Sequence, residues 1–167
     1  MRAKDGLAAM AVLLGDDPEI RAILEQVCAQ TGMGFAAVAR VTEARWIACQ
    51  VLDKIEFGLN PGDELEIKTT ICDDIRQCGE AIVIDSVVDH PKWRVHHTPR
   101  MYGFQSYASL PVYLDDRSFF GTLCAIDPRP RQVSGQAVFT ALRGFADQVG
   151  SIVSARLRLL EGAVGAD

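Results

Sequence analysis

The segment Tyr102–Pro130, YGFQSYASLPVYLDDRSFFGTLCAIDPRP, constrains the fold more than any other part of the chain. A turn at Gly103 leads into an apolar run, Ser106–Leu114. The acidic pair Asp115-Asp116 supplies a tight turn, and a second apolar run, Phe119–Ile126, follows. The second run stops at Asp127-Pro128, because proline has no N–H to give a ladder. Two adjacent runs of this kind predict an antiparallel hairpin. A long amphipathic stretch follows, so the hairpin has a helix available to cover one face.

The rest of the chain fills in around that hairpin. Asp17-Pro18 opens a helix, with Pro18 where a missing N–H costs nothing. Ile20, Ile23, Leu24, Val27 and Cys28 then form one helical face up to Gly32 and Gly34. Phe35–Val41 and Trp46–Leu52 read as a second hairpin, turning at Thr42–Arg45. Ile55–Leu59 reads as a short extended piece before the turn Asn60-Pro61-Gly62. Thr70, with Asp73 three residues on, predicts a capping-box variant at the head of a helix Ile71–Gln77 that ends at Gly79. Ala81–Ile84 reads as a strand. Asp85–Gly103 is the longest irregular stretch, and loops of that length are functional or partly helical. The last helix is expected over Gly135–Leu160 with an apolar stripe from Val138 to Leu160. At 1.5 Å per residue it is roughly 38 Å long, more than its own sheet needs, which predicts that part of the stripe faces another chain.

With 167 residues and no repeat or linker, the chain reads as one domain, residues 17–160. Residues 1–16 are taken as an N-terminal extension that can be helical, and 161–167 as a flexible tail. A net charge of −5 argues against a phosphate-binding face, so nucleic acid is not expected as a partner. Five cysteines without C-x-x-C spacing point to a reducing compartment and a cytoplasmic location. The apolar run Leu7–Leu14 is too short to span a bilayer, so no membrane insertion is expected.

The order of elements resembles the GAF domain family, and two segments carry the likeness: ELEIKTTICDDIRQCGEAIVIDSV (Glu64–Val87) and the hairpin segment. Together they are similar to GAF domains at the sensory ends of bacterial histidine kinases. The resemblance implies an α/β (α+β), GAF/PAS-like fold: a central antiparallel sheet, the terminal helices on one face, and a pocket on the other under a loop and a small helix. It also implies pocket positions at Ile71, Cys72, Ile75, Trp93, His97, Tyr102, Phe104, Tyr107, Ser109 and Cys124, to which the basic loop adds Arg94. A small-molecule pocket is ordinarily about 300–1,000 Å³.

Several sharper chemistries can be weighed against these residues. Cys72 resembles in position one of three cysteines of GAF-type free-methionine-sulfoxide reductases. However, Asp85–Gly103 has no cysteine where that family places its catalytic one. Cys78 is about 600° further round the helix and points elsewhere. His97 resembles in spacing the histidine that contacts bilin in phytochrome-type domains, but His96 stands where photoreceptor relatives carry the linking cysteine. Bilin and haem are therefore not expected. His90, His96 and His97 lack the partners of a closed metal site, so no metal is expected. Lys92, Arg94 and Arg100 could clamp an anion. The Asn-Lys…Phe…Asp-Glu pattern of cyclic-nucleotide-binding GAF domains is absent, and no Walker, G-x-S-x-G or dinucleotide motif occurs.

The expected function is a non-catalytic small-molecule sensor or regulatory module of a signalling protein, with an unknown ligand and a homodimer through Gly135–Leu160. A thiol-dependent free-methionine-sulfoxide reductase and a purely structural dimerisation domain are the alternatives.

Overall fold

The computed structural model describes residues 13–66 and 70–165. Helix α1 (Pro18–Thr31) begins where the Asp17 carboxylate accepts from the amides of Glu19 and Ile20, and ends at Gly32 in the left-handed region. Strands β1 (Phe35–Val41) and β2 (Trp46–Asp53) form the expected hairpin, with a bulge at Val38/Ala39. The expected extended piece Ile55–Leu59 is instead irregular, because the Asp53 carboxylate gathers the amides of Ile55, Phe57 and Gly58 into a tight loop. Strand β3 (Glu64–Leu65) pairs with the start of β2.

Helix α2 (Cys72–Cys78) has Ile71 at its N-cap with no side-chain cap, so the capping box expected at Thr70 does not form. Asp73 pairs instead with Arg76 and Gln77 along the helix. Strand β4 (Ile82–Ile84) leads to the long stretch 85–103, which holds two short 3₁₀ turns and helix α3 (His97–Tyr102). Strands β5 (Ser106–Tyr113) and β6 (Phe119–Asp127) are the hairpin read from the sequence. Helix α4 (Gln136–Gly165) continues past the expected end at Leu160.

The six strands form one antiparallel sheet in the order β3-β2-β1-β6-β5-β4. Gly121 is needed at its centre: a Cβ there would stand 1.8 Å from the Ala39 carbonyl oxygen. Pro111 lies beyond the last β4 pairing at Ser109, so its missing N–H falls on an open edge. One face of the sheet packs on α1 and α4, burying Ile20, Leu24, Val27, Leu110, Leu123, Leu142 and Val149. Buried Gln50 donates to the carbonyls of Leu14 and Asp17, fixing the approach to α1. The other face carries Phe35, Trp46, Tyr107, Cys124 and Ile126 beneath α2 and the cover 85–103. Asp85, the first residue of that cover, accepts from the amides of Val133 and Ser134 just ahead of α4.

Candidate functional site

The site grows out of β-strand alternation. On β1, Phe35, Ala37 and Ala39 face away from α1, and on β6 Thr122, Cys124 and Ile126 do the same. The alanines leave room above the middle of the sheet, and the aromatic residues wall it in. Phe35 meets Phe57 with ring centroids 5.0 Å apart, and Phe104 stacks on Tyr107 at 5.1 Å. A cavity of ≈ 50 Å³ remains, lined by these rings with Trp46, Leu59, Leu65, Thr70, Ile71, Cys72, Thr98, Tyr102, Cys124 and Ile126. That is room for a few waters and far below the ordinary size for a small-molecule site. A second, outer hollow of ≈ 480 Å³ shares Phe57, Leu59, Leu65, Tyr102, Phe104 and Ile126 with it. These six residues form the partition between the inner cavity and the outer hollow.

Cys72 is the chemical centre. Its sulfur lies 3.2 Å from Thr122 Oγ1, 3.7 Å from the Tyr107 hydroxyl and 3.9 Å from Ser109 Oγ. The Cys124 thiol faces it and donates to it on ionisation, which more than offsets burial and, with Thr122, Trp46 and Tyr107, holds the Cys72 thiol below its usual range. Cys124 moves the opposite way, raised by that same interaction and by burial. Burial likewise keeps the Tyr107 phenol neutral. Trp46 Nε1 is buried and directed at the Cys72 sulfur, with no oxygen or nitrogen acceptor. Cys49, on the other face, is pushed up to about 12 by burial. Among the buried cysteines, Cys72 is the one whose surroundings favour the thiolate, whereas burial raises Cys28 and Cys49.

The residues expected from the sequence divide by position. Cys72, Tyr102, Phe104, Tyr107 and Cys124 line the cavity, as does Ile71, and Ser109 touches the Cys72 sulfur. Ile75 is fully buried but outside the lining, and Trp93 packs under the cover against the same apolar cluster. Arg94, Arg100 and His97 are exposed and do not line it. Lys92 stacks over the Trp93 ring at 4.5 Å, and His96 Nδ1 accepts from the Thr98 amide. Burial and the neighbouring His97 hold His96 below the usual imidazole range, which suits an acceptor. Phe35, Trp46, Phe57, Leu59 and Leu65 were not among the expected positions. The alternation along β1 and β2 could have found Phe35 and Trp46. Among the described residues no group of three or more His, Cys, Asp or Glu could hold a metal, and no helix is long and apolar enough to cross a membrane.

The GAF domain profile matches residues 17–153. The chain belongs to the GAF domain family. Among solved structures, this GAF domain is similar to that of a two-component sensor histidine kinase from Bacillus halodurans. The TM-score is 0.66 at 12% identity, covering 89% of this chain and 99% of the other. The PixJ GAF domain of Thermosynechococcus elongatus, in its blue-light absorbing form, gives 0.63 at 13% identity, covering 89% and 92%. The type II free methionine-R-sulfoxide reductase of Thermoplasma acidophilum gives 0.61 at 11% identity, covering 81% and 89%. At such identities the likeness is one of fold. A comparison with curated proteins finds no match.

Proposed function

We propose that this GAF domain is a non-catalytic sensor or regulatory module of a bacterial signal-transduction protein, the input part of a two-component histidine kinase or a similar protein, working in the cytoplasm. One observation carries the reading: a small apolar cavity with convergent polar atoms, roofed by elements distinct from the helices on the other face. Cys72 Sγ, the Tyr107 hydroxyl and the buried Trp46 Nε1–H offer a small ligand two kinds of polar contact within apolar walls. The signalling mechanism is a shift of population. A ligand that prefers a cover-open arrangement tenfold biases it by about 1.4 kcal/mol. Helix α4 would carry that bias to a mate in a homodimer.

The test is an absorbance spectrum with native mass spectrometry of the purified protein, followed by thermal melts against small metabolites. A retained or stabilising small molecule that is lost on Trp46→Leu supports the reading. No retained mass and no melting shift across the panel overturns it.

The ionisable Cys72 favours a second reading, a thiol-dependent reductase of free methionine sulfoxide. A whole amino acid exceeds the ≈ 50 Å³ cavity, so that activity would require its lining to move. Turnover of free methionine sulfoxide that Cys72→Ser abolishes would establish it, and no turnover would dispose of it.

A further inference from the structure

Ser109 is the direct partner of Cys124 in the β5–β6 ladder, and Cβ atoms so paired lie about 4.5–5.5 Å apart. Thr122 is two residues back along β6, hence on the same face as Cys124. The Cys72 sulfur contacts the hydroxyls of both Ser109 and Thr122, so it sits over the sheet beside Cys124. Both cysteines line the same cavity, and both are free thiols. At ≈ 50 Å³ the cavity takes only molecules of a few heavy atoms. Trp46, 3% exposed, contributes to it a buried N–H with no oxygen or nitrogen acceptor, directed at the Cys72 sulfur where a small oxygen would sit.

We propose that Cys72 and Cys124 form a peroxide-reactive dithiol, oxidised by hydrogen peroxide to a disulfide that joins the head of α2 to β6. The Cys72 thiolate attacks one peroxide oxygen; the S–O bond forms as the O–O bond breaks. The departing hydroxide takes the Cys124 thiol proton and leaves as water, with Trp46 Nε1–H and the Thr122 hydroxyl as donors to the oxygens. The Cys124 thiolate then attacks the Cys72 sulfenic acid; the S–S bond forms, the S–O bond breaks, and hydroxide leaves to be protonated by solvent. Peroxide is reduced by two electrons and the two thiols are oxidised by two. The ordering of the two thiols follows from their environments: Cys72 is the one stabilised as thiolate, and Cys124 is the one that keeps its proton. The reaction requires only the thiol pair and a path past Tyr102 and Phe57. A domain that binds no metabolite would still perform it.

The experiment uses the full chain carrying Cys78→Ser, because Cys78 is the exposed thiol. Stoichiometric hydrogen peroxide is added at pH 6, and the products are read by intact mass and peptide mapping. The expected result is a loss of two hydrogens and a Cys72–Cys124 linked peptide, formed about tenfold faster than free cysteine reacts at that pH. Adding Cys124→Ser should stop the reaction at a sulfenic acid on Cys72 that a dimedone probe traps. The proposal is overturned if both cysteines remain alkylatable after oxidation and denaturation. A disulfide involving Cys28 or Cys49 instead would also overturn it, as would a Cys72 rate no greater than that of free cysteine. Should the Cys124→Ser chain fail to fold, the linked peptide and its rate in the parent chain decide alone.

Discussion

Arg156 of α4 and Asp17 at the head of α1 lie 139 positions apart and meet with Nε 2.6 Å from Oδ2. The same carboxylate caps α1 through its other oxygen. One nearly buried side chain thus starts the first helix and fastens it to the last.

Replacing Asp17 by Asn retains a good cap and removes the ion pair. Arg156 is 26% exposed, so screening reduces the cost to roughly 1–2 kcal/mol at neutral pH. Burial opposes ionisation of Asp17, but Arg156 and the two cap amides outweigh it, and its pKa falls below the usual carboxylate value. Its contribution is therefore fully present above the unfolded value near ~3.9 and is lost as pH falls through the lower folded value. Urea unfolding at pH 7 and again near pH 3 checks this: the gap between the wild type and Asp17→Asn should shrink at the acid end.

Gly121→Ala places a methyl group into the Ala39 carbonyl in the middle of the sheet. Backbone cannot move aside there without breaking the β1–β6 ladder. The expected cost is about 3 kcal/mol or more, seen as a fall in Tm of roughly 10 °C. Gly144→Ala, where a Cβ meets nothing within 4 Å, is the matched control and should leave Tm unchanged or slightly raised.

Tyr102→Ala removes a half-buried ring from the partition between cavity and outer hollow. Alkylation of Cys72 by iodoacetamide, followed by peptide mass spectrometry, should accelerate about tenfold or more as local opening ceases to limit access. The same change at Tyr113, an exposed ring that does not line the cavity, should not alter the rate.

Leu159 and Leu160 remain 68% and 39% exposed near the end of α4. If they seat a second copy, the protein is a dimer in light scattering at high micromolar concentration, and Leu159→Glu with Leu160→Glu makes it monomeric without lowering helix content. A wild type that stays monomeric under those conditions removes the dimer from the functional reading.

The parts of this fold written in local periodicity were legible in the sequence. The β5–β6 hairpin, the β1–β2 hairpin, α1 and the start of α4 each carry period-2 or period-3.6 patterns with turn residues at their ends. Strand β3 was not legible, because a two-residue pairing leaves no period to read. The Thr70 capping motif was legible but misleading, since the chain enters α2 through Ile71 with helical backbone already formed. The site was half legible. The hairpin motif marked Tyr107, Ser109 and Cys124, whereas Phe35 and Trp46, although readable from alternation along β1 and β2, share a cavity with them only through the register of β1 on β6, which joins distant segments. Within the cover no period distinguishes Trp93, turned inward, from Arg94 and His97, turned outward. Two 3₁₀ turns and a short helix set those directions.

Asp85 gives the two halves of the domain a mechanical relation. It is the first residue of the cover, and its carboxylate grips the amides of Val133 and Ser134 together with the Ser134 hydroxyl, one turn before α4 begins. Its own carbonyl takes the amide of Arg131. The cover therefore cannot swing from its root without either breaking four hydrogen bonds or dragging the base of the long helix with it. Roof and rod form one linkage, with the pivot at a single carboxylate.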